Sequence, residues 1–207
     1  QNNNIQELIL PDGLEVIESN AFFDNQSLEE VIIPESVTKI KENAFPDIKK
    51  IHVKKYIPDL EFAITQSYIY SDLKVGIVTI ESNNRELIIP KHPKSPIGMR
   101  GIIHKFIEDE SYEVPPTYIF AHNVIERQET ALRVFAKTQD KNAKMYLKKY
   151  SKMIFKRLME ENRNEEAIQM VRNGLMSKRT LREILSEITE YPDVSAYILI
   201  KLNEDEQ

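Results

Sequence analysis

Histidines, glycine pairs and paired carboxylates are where chemistry would show first in this chain, and none of them falls into a working pattern. His92, His104 and His122 are far apart, with no helical i, i+4 pair and no acidic third ligand beside them, so they form no metal site. Gly98-Met99-Arg100-Gly101 is the only close glycine pair, and it lacks the third glycine and the Lys-Ser/Thr that would cradle a phosphate. No Gly-x-Ser-x-Gly and no His-Glu-x-x-His occurs. The pairs Glu29-Glu30, Glu160-Glu161 and Glu165-Glu166 lie at the ends of expected helices or strands, where solvation and the helix dipole account for them. With no cysteine there is no thiolate chemistry and no disulfide, and the redox compartment stays open. Three negatives follow: no catalytic residue, no metal ligand and no cofactor, hence a non-enzyme. A small-molecule enzyme would need a deep polar pocket with shifted ionisable groups, which a sequence does not display.

The strongest charge pattern is a run of lysines. Read as one helix, Lys141 to Met159 puts Ala143, Tyr146, Leu147, Tyr150, Met153, Ile154 and Leu158 on one side. Lys141, Lys144, Lys148, Lys149, Lys152 and Lys156 then fall on the other. Such a face can meet phosphates or an acidic protein. No aromatic residue interleaves the lysines, which removes a base-stacking platform, and the net charge of −5 gives no global attraction to nucleic acid. A solvated helix face is the simpler reading; an electrostatic binder is the alternative.

The element that organises the N-terminal quarter is a repeat. Leu8-Ile9-Leu10-Pro11, Leu14, Ile17 and Ala21-Phe22 return as Val31-Ile32-Ile33-Pro34, Val37, Ile40 and Ala44-Phe45, with Pro11 to Pro34 and Phe22 to Phe45 both 23 residues apart. A fixed period of this size implies a solenoid whose units cannot close a core alone and stack on one another. Leu8 and Leu10, Val31 and Ile33, and Ile51 and Val53 point inward at period two; proline ends each strand because it offers no N–H to the ladder. The third copy arrives three residues early and has Lys54 for the proline, which reads as the solenoid closing near residue 55.

These residues resemble the BspA-like leucine-rich repeats, with Leu28, Val31, Ile33, Pro34, Val37, Ile40, Ala44 and Phe45 on the family pattern. The chain departs from that pattern at Glu18 and Lys41, which replace its glycine, and at Asn25, which replaces its cysteine. The resemblance implies recognition of a protein or a surface, and no catalysis. Parallel stacking would align Ile9, Ile32 and His52 in an outward column flanked by Glu7, Glu30 and Lys50. Two isoleucines left in water forgo roughly 1.5–3 kcal/mol each, so either a neighbouring element or a partner covers them. Asn25-Gln26-Ser27 is formally a glycosylation sequon, but Asn25 falls on the internal turn ladder of the repeat.

Beyond the repeats, Tyr56 to Tyr70 has no clean period. Gly76–Ile80 and Glu86–Pro90 read as a β-hairpin around Glu81–Arg85 that can extend the sheet, and Pro90, Pro93 and Pro96 as an extended connector. Further helices are expected over Glu165–Asn173, stopped by Gly174, from the capping box Thr180-Leu181-Arg182-Glu183, and from Pro192-Asp193 to about Leu202. This order is similar to ankyrin-like helical arrays and to the helical region that accompanies such repeats in some bacterial proteins, which implies a second interaction scaffold. The expected architecture is α+β: leucine-rich repeats over 1–55, a hairpin and connector over 56–96, and helical hairpins over 97–205. Apolar runs such as Tyr197–Ile200 are too short to span a bilayer, and Gln1–Asn4 has no signal-peptide character, so both a cytoplasmic and a surface location stay open. The expected function is a non-catalytic interaction scaffold for a protein partner of unassigned identity and stoichiometry; nucleic acid is not favoured.

Overall fold

The computed structural model describes residues 7–23, 25, 27–66 and 75–204. It is a mixed α and β chain in two compact units, residues up to 134 and residues from 135 onward.

The first unit is built on a stack of short parallel strands. β1 (Glu7–Ile9), β3 (Glu30–Ile32) and β5 (Lys50–His52) pair in parallel, with Leu8, Val31 and Ile51 in one column. On the return side of each coil, β2 (Val16–Ile17) pairs in parallel with β4 (Lys39–Ile40). Val31, Ile33, Val37, Ile40, Ile51 and Val53 are buried, as the period-two alternation and the turn-back residues require. Phe22 and Phe45 stack one above the other, ring centroids 4.9 Å apart and 6° from parallel. The amide of Phe22 donates to the carbonyl of Ala44 at 3.1 Å, and that of Phe45 to Ala63 at 3.0 Å. The wall therefore continues into α1 (Leu60–Ile64), where Ala63 takes the place of the repeat alanine. Asn20 and Asn43 hold left-handed backbone at the matching corners, a conformation asparagine tolerates better than most residues.

The two departures from the family glycine answer each other: Lys41 pairs with Glu18 on the coil below. Ser36 likewise bridges coils, accepting from the Gly13 amide at 3.1 Å and donating to the Leu14 carbonyl at 2.8 Å.

Where the sequence reading ends the repeats near residue 55, the sheet goes on. β6 (Ile77–Ser82) pairs in parallel with β5, Ile51 opposite Ile80, and β7 (Arg85–Pro90) returns antiparallel to complete the order β1-β3-β5-β6-β7. The hairpin forms as expected but with a tighter turn. Only Asn83 and Asn84 lie outside the strands, both at positive φ, the geometry of a type I′ turn that matches strand twist. In the unperiodic 56–75 stretch α1 is helical, and residues 67–74 lie outside the described part.

α2 (Ile97–Glu108) buries Met99, Ile102, Ile103, Phe106 and Ile107 in the same core as the strands, one face at helical spacing. Gly98 and Gly101 lie within this helix. A 3-10 turn (Thr117–Phe120) follows, then α3 (Val124–Thr138), within which the two units divide.

The second unit is helical: α4 (Lys141–Lys149), α5 (Ser151–Glu160), α6 (Asn164–Arg172), α7 (Lys178–Leu185) and α8 (Pro192–Glu204). The expected single helix over 141–159 is two. At Tyr150 the backbone leaves helical geometry (φ −109°, ψ 14°), with its ring 4.9 Å from that of Tyr146. Gly174 at φ 63° stops α6 as expected, with the Leu175 amide reaching back to the Met170 carbonyl. The cap of α7 is Ser177, which accepts from the Thr180 amide at 3.1 Å, so the helix begins three residues before the expected box. Among the described residues, no helix is long and apolar enough to cross a membrane.

Candidate functional site

The outward side of the parallel strands gathers most of the residues singled out by the sequence. Register places Ile9, Ile32, His52 and Glu81 in one column, and Glu7, Glu30, Lys50 and Thr79 in the next. The backbone of Glu7 is in β1, while its side chain lies outside the described part. Ile9 is 75% exposed and Ile32 43% exposed, so among the described residues no element covers them fully. Further along the same face Thr79 and Ile88 are buried, so the open part is the β1–β3–β5 side.

At the boundary sits a compensated charge cluster. Lys50 Nζ lies 2.6 Å from Glu81 and 3.7 Å from Glu30. His52 touches Glu30 through Nε2 and lies 3.4 Å from Glu81 through Nδ1. Each base therefore straddles the two carboxylates. The hydrogen bond to Glu81 raises the Lys50 ammonium above its ordinary range, and the same bond holds the Glu81 carboxyl below its own. Sequence reasoning missed Glu81 because it placed this residue in a turn. The alternation Thr79-Ile80-Glu81 matches Lys50-Ile51-His52 and was the available signal.

The lysine face is dispersed by the break at Tyr150. Lys152 lies 3.1 Å from Glu183 and 3.2 Å from Glu187, and Lys156 pairs with Glu187, both carboxylates coming from the α7 region. Bonds to Lys156 and Lys152 keep the Glu187 carboxyl below its usual range, and bonds to Arg179 and Lys152 do so for Glu183. Lys144 and Lys149 lie over the rings of Phe135 and Tyr150, at 6.0 and 5.3 Å. Lys141 and Lys148 are exposed. Met153, expected on the core side, is 47% exposed.

A second ionisable cluster, invisible in the sequence, is buried at the end of β7. Lys91 donates to the carbonyls of Ile48 (3.1 Å) and Phe45 (3.4 Å). Burial pushes its ammonium down from 10.5 to about 7, opposed by the nearby charges of Asp47 and Glu126. His92 Nδ1 is 2.9 Å from Glu126 Oε1, and its Nε2 is 3.1 Å from Gln66 Oε1. Glu126 Oε1 also accepts from the amides of His92 (3.0 Å) and Gly76 (3.3 Å). Lys91, His92 and Glu126 are all buried, which suits holding elements together rather than meeting a substrate.

Residues 1–88 match the model of a family described as "BspA type Leucine rich repeat region (6 copies)". The match covers the repeats and runs through β6 into β7, which agrees with strands that continue beyond β5. No curated protein matches the chain, and no solved structure does. The match supports the leucine-rich-repeat part, and the matched family suggests a protein-interaction module and is typically non-enzymatic.

Proposed function

We propose that the chain is a non-catalytic interaction scaffold that receives a protein partner on the outward face of β1, β3 and β5. The observation that carries this reading is the exposed Ile9–Ile32 pair beside the cluster of Glu30, Lys50, His52 and Glu81. Isolated exposed apolar residues are common, but two in register on one sheet face, bordered by polar groups, have the make-up of an interface centre and rim. The repeat family supports a binding role for the same part of the chain. The helical hairpins from residue 141 onward serve in this reading as a second, ankyrin-like scaffold.

A photocrosslinking amino acid placed at position 32, and separately at position 148, tests the assignment in extracts of the producing organism. A discrete protein adduct from position 32 that is lost in Ile9→Asp, with the thermal transition unchanged, is the expected result. Adducts from position 148 alone, released steeply by salt, would transfer the function to the lysine face.

A further inference from the structure

We propose that Lys91, His92 and Glu126 form a proton-operated clasp that fastens the end of β7 and the first turn of α3 to the repeat coil, loosened when acid adds a second proton to the pair of bases. The geometry ties separate segments to one spot. Lys91 reaches the coil through the Phe45 and Ile48 carbonyls, and its own carbonyl accepts from the Gln66 amide at 2.9 Å. Glu126, on α3, receives the amides of Gly76 and His92. The fit is tight, for a Cβ added at Gly76 would stand 2.7 Å from the Lys91 Cβ.

The hydrogen bonds around His92 fix where its protons point. Gln66 Nε2 donates to the Pro46 carbonyl at 2.8 Å, which turns its Oε1 toward His92. Both ring nitrogens of His92 therefore face oxygens, Glu126 Oε1 and Gln66 Oε1, and the ring makes both bonds only when each nitrogen carries a hydrogen. Glu126 Oε2 has no hydrogen-bond partner among the described residues. The groups facing the two bases are Glu126 from α3, the exposed Asp47 from the coil before β5, and His122, whose amide donates to the His92 carbonyl at 2.9 Å. Glu126 is the one buried carboxylate among them. A second proton leaves a net positive charge on buried side chains, and the inexpensive relief is for Lys91 to withdraw from the coil. The low position of the Lys91 ammonium, about 7, sets this second step near neutrality.

The test is nuclear magnetic resonance on the whole chain from pH 5.5 to 9. The Lys91 Cε resonance is expected to titrate within a unit of 7. After correction for intrinsic exchange, protection of the Gly76 and His92 amides should fall about tenfold from pH 8 to 6, with Ile33 and Val53 in the repeats at least tenfold better protected at every pH. Lys91→Arg, charged throughout, should show the low protection at both pH values, and Lys91→Met should remove the dependence. If neither variant folds, the wild-type titration decides alone. A Lys91 midpoint above 9, or Gly76 and His92 protection that is flat with pH or equal to that of Ile33, overturns the clasp.

Discussion

Removing the ring of Phe45 tests whether adjoining coils share one interior. Phe45 is buried and its ring lies flat against that of Phe22, which is half-buried on the coil below. Truncation to alanine in a packed core costs about 3–5 kcal/mol, from lost transfer energy and the cavity left behind. Phe22→Ala, starting from a ring already partly in water, should cost about 1–2 kcal/mol. If the stacked rings stabilise each other, the double variant loses less than both single losses together, by about 0.5–1.5 kcal/mol. Native-state hydrogen exchange is the assay, read at the amides of Ile33 and Val53, which donate to His52 and Glu81 carbonyls on the next strands at 3.0 Å. Those amides report the stack itself and are not confused by separate unfolding of the helical unit. Losses that add to within about 0.3 kcal/mol, or a Phe45→Ala cost below about 1.5 kcal/mol, would refute a shared interior.

Three further outcomes follow from particular contacts. Between pH 7 and 10 the unfolded chain holds a proton on Lys91 that the folded chain lacks, so wild-type stability should rise with pH by at most about 1.4 kcal/mol per unit relative to Lys91→Met. Below pH 7 both states are protonated and the two urea curves should shift in parallel. Gly76→Ala should cost on the order of 1–3 kcal/mol, because its new methyl meets the Lys91 Cβ at 2.7 Å; an unchanged melting temperature would show that the strands can part freely. Ser177→Ala removes the acceptor for the Thr180 amide and should cost about 1 kcal/mol in the helical unit, whereas Thr180→Val, which leaves that acceptor in place, should cost less; the reverse order in thermal melts would restore Thr180 as the cap.

The sequence was most readable where one local rule acts on neighbouring residues. The 23-residue spacing of Pro11 and Pro34 foretold the stacked phenylalanines, and the asparagine-rich gap before Arg85 foretold a hairpin. Reading stopped where the outcome depends on residues far apart in the chain. Ile80 follows Ile51 by 29 residues, so no fixed period announces that β6 keeps the register of β1, β3 and β5. Lys152 and Lys156 look like free positive charge until α7 sets Glu183 and Glu187 opposite them. Lys91 and His92 follow a strand that ends in proline and look like the start of an exposed connector. Their burial depends on Glu126, 34 residues on, and on main-chain carbonyls that carry no side-chain signature.

The charge balance of the sheet face decides how a partner would be held there. Glu30 and Glu81 are already shared between Lys50 and His52, so a cationic ligand would have to displace a bound base to reach a carboxylate, exchanging one ion pair for another at little net gain. Covering Ile9 and Ile32 displaces no such bond and removes apolar surface from water, at roughly 25 cal/mol per Å². The affinity of this face should therefore come from the isoleucines, with the cluster setting orientation through its fixed geometry. Ile32→Ser should weaken a captured partner more than Lys50→Met does, and raising the salt from 0.1 to 0.5 M should change the affinity less than threefold, as measured by calorimetry with the crosslinked protein once isolated. A tenfold loss with salt would mean that the Glu30–Lys50–Glu81 pairs open on binding and that charge, not the apolar column, carries the contact.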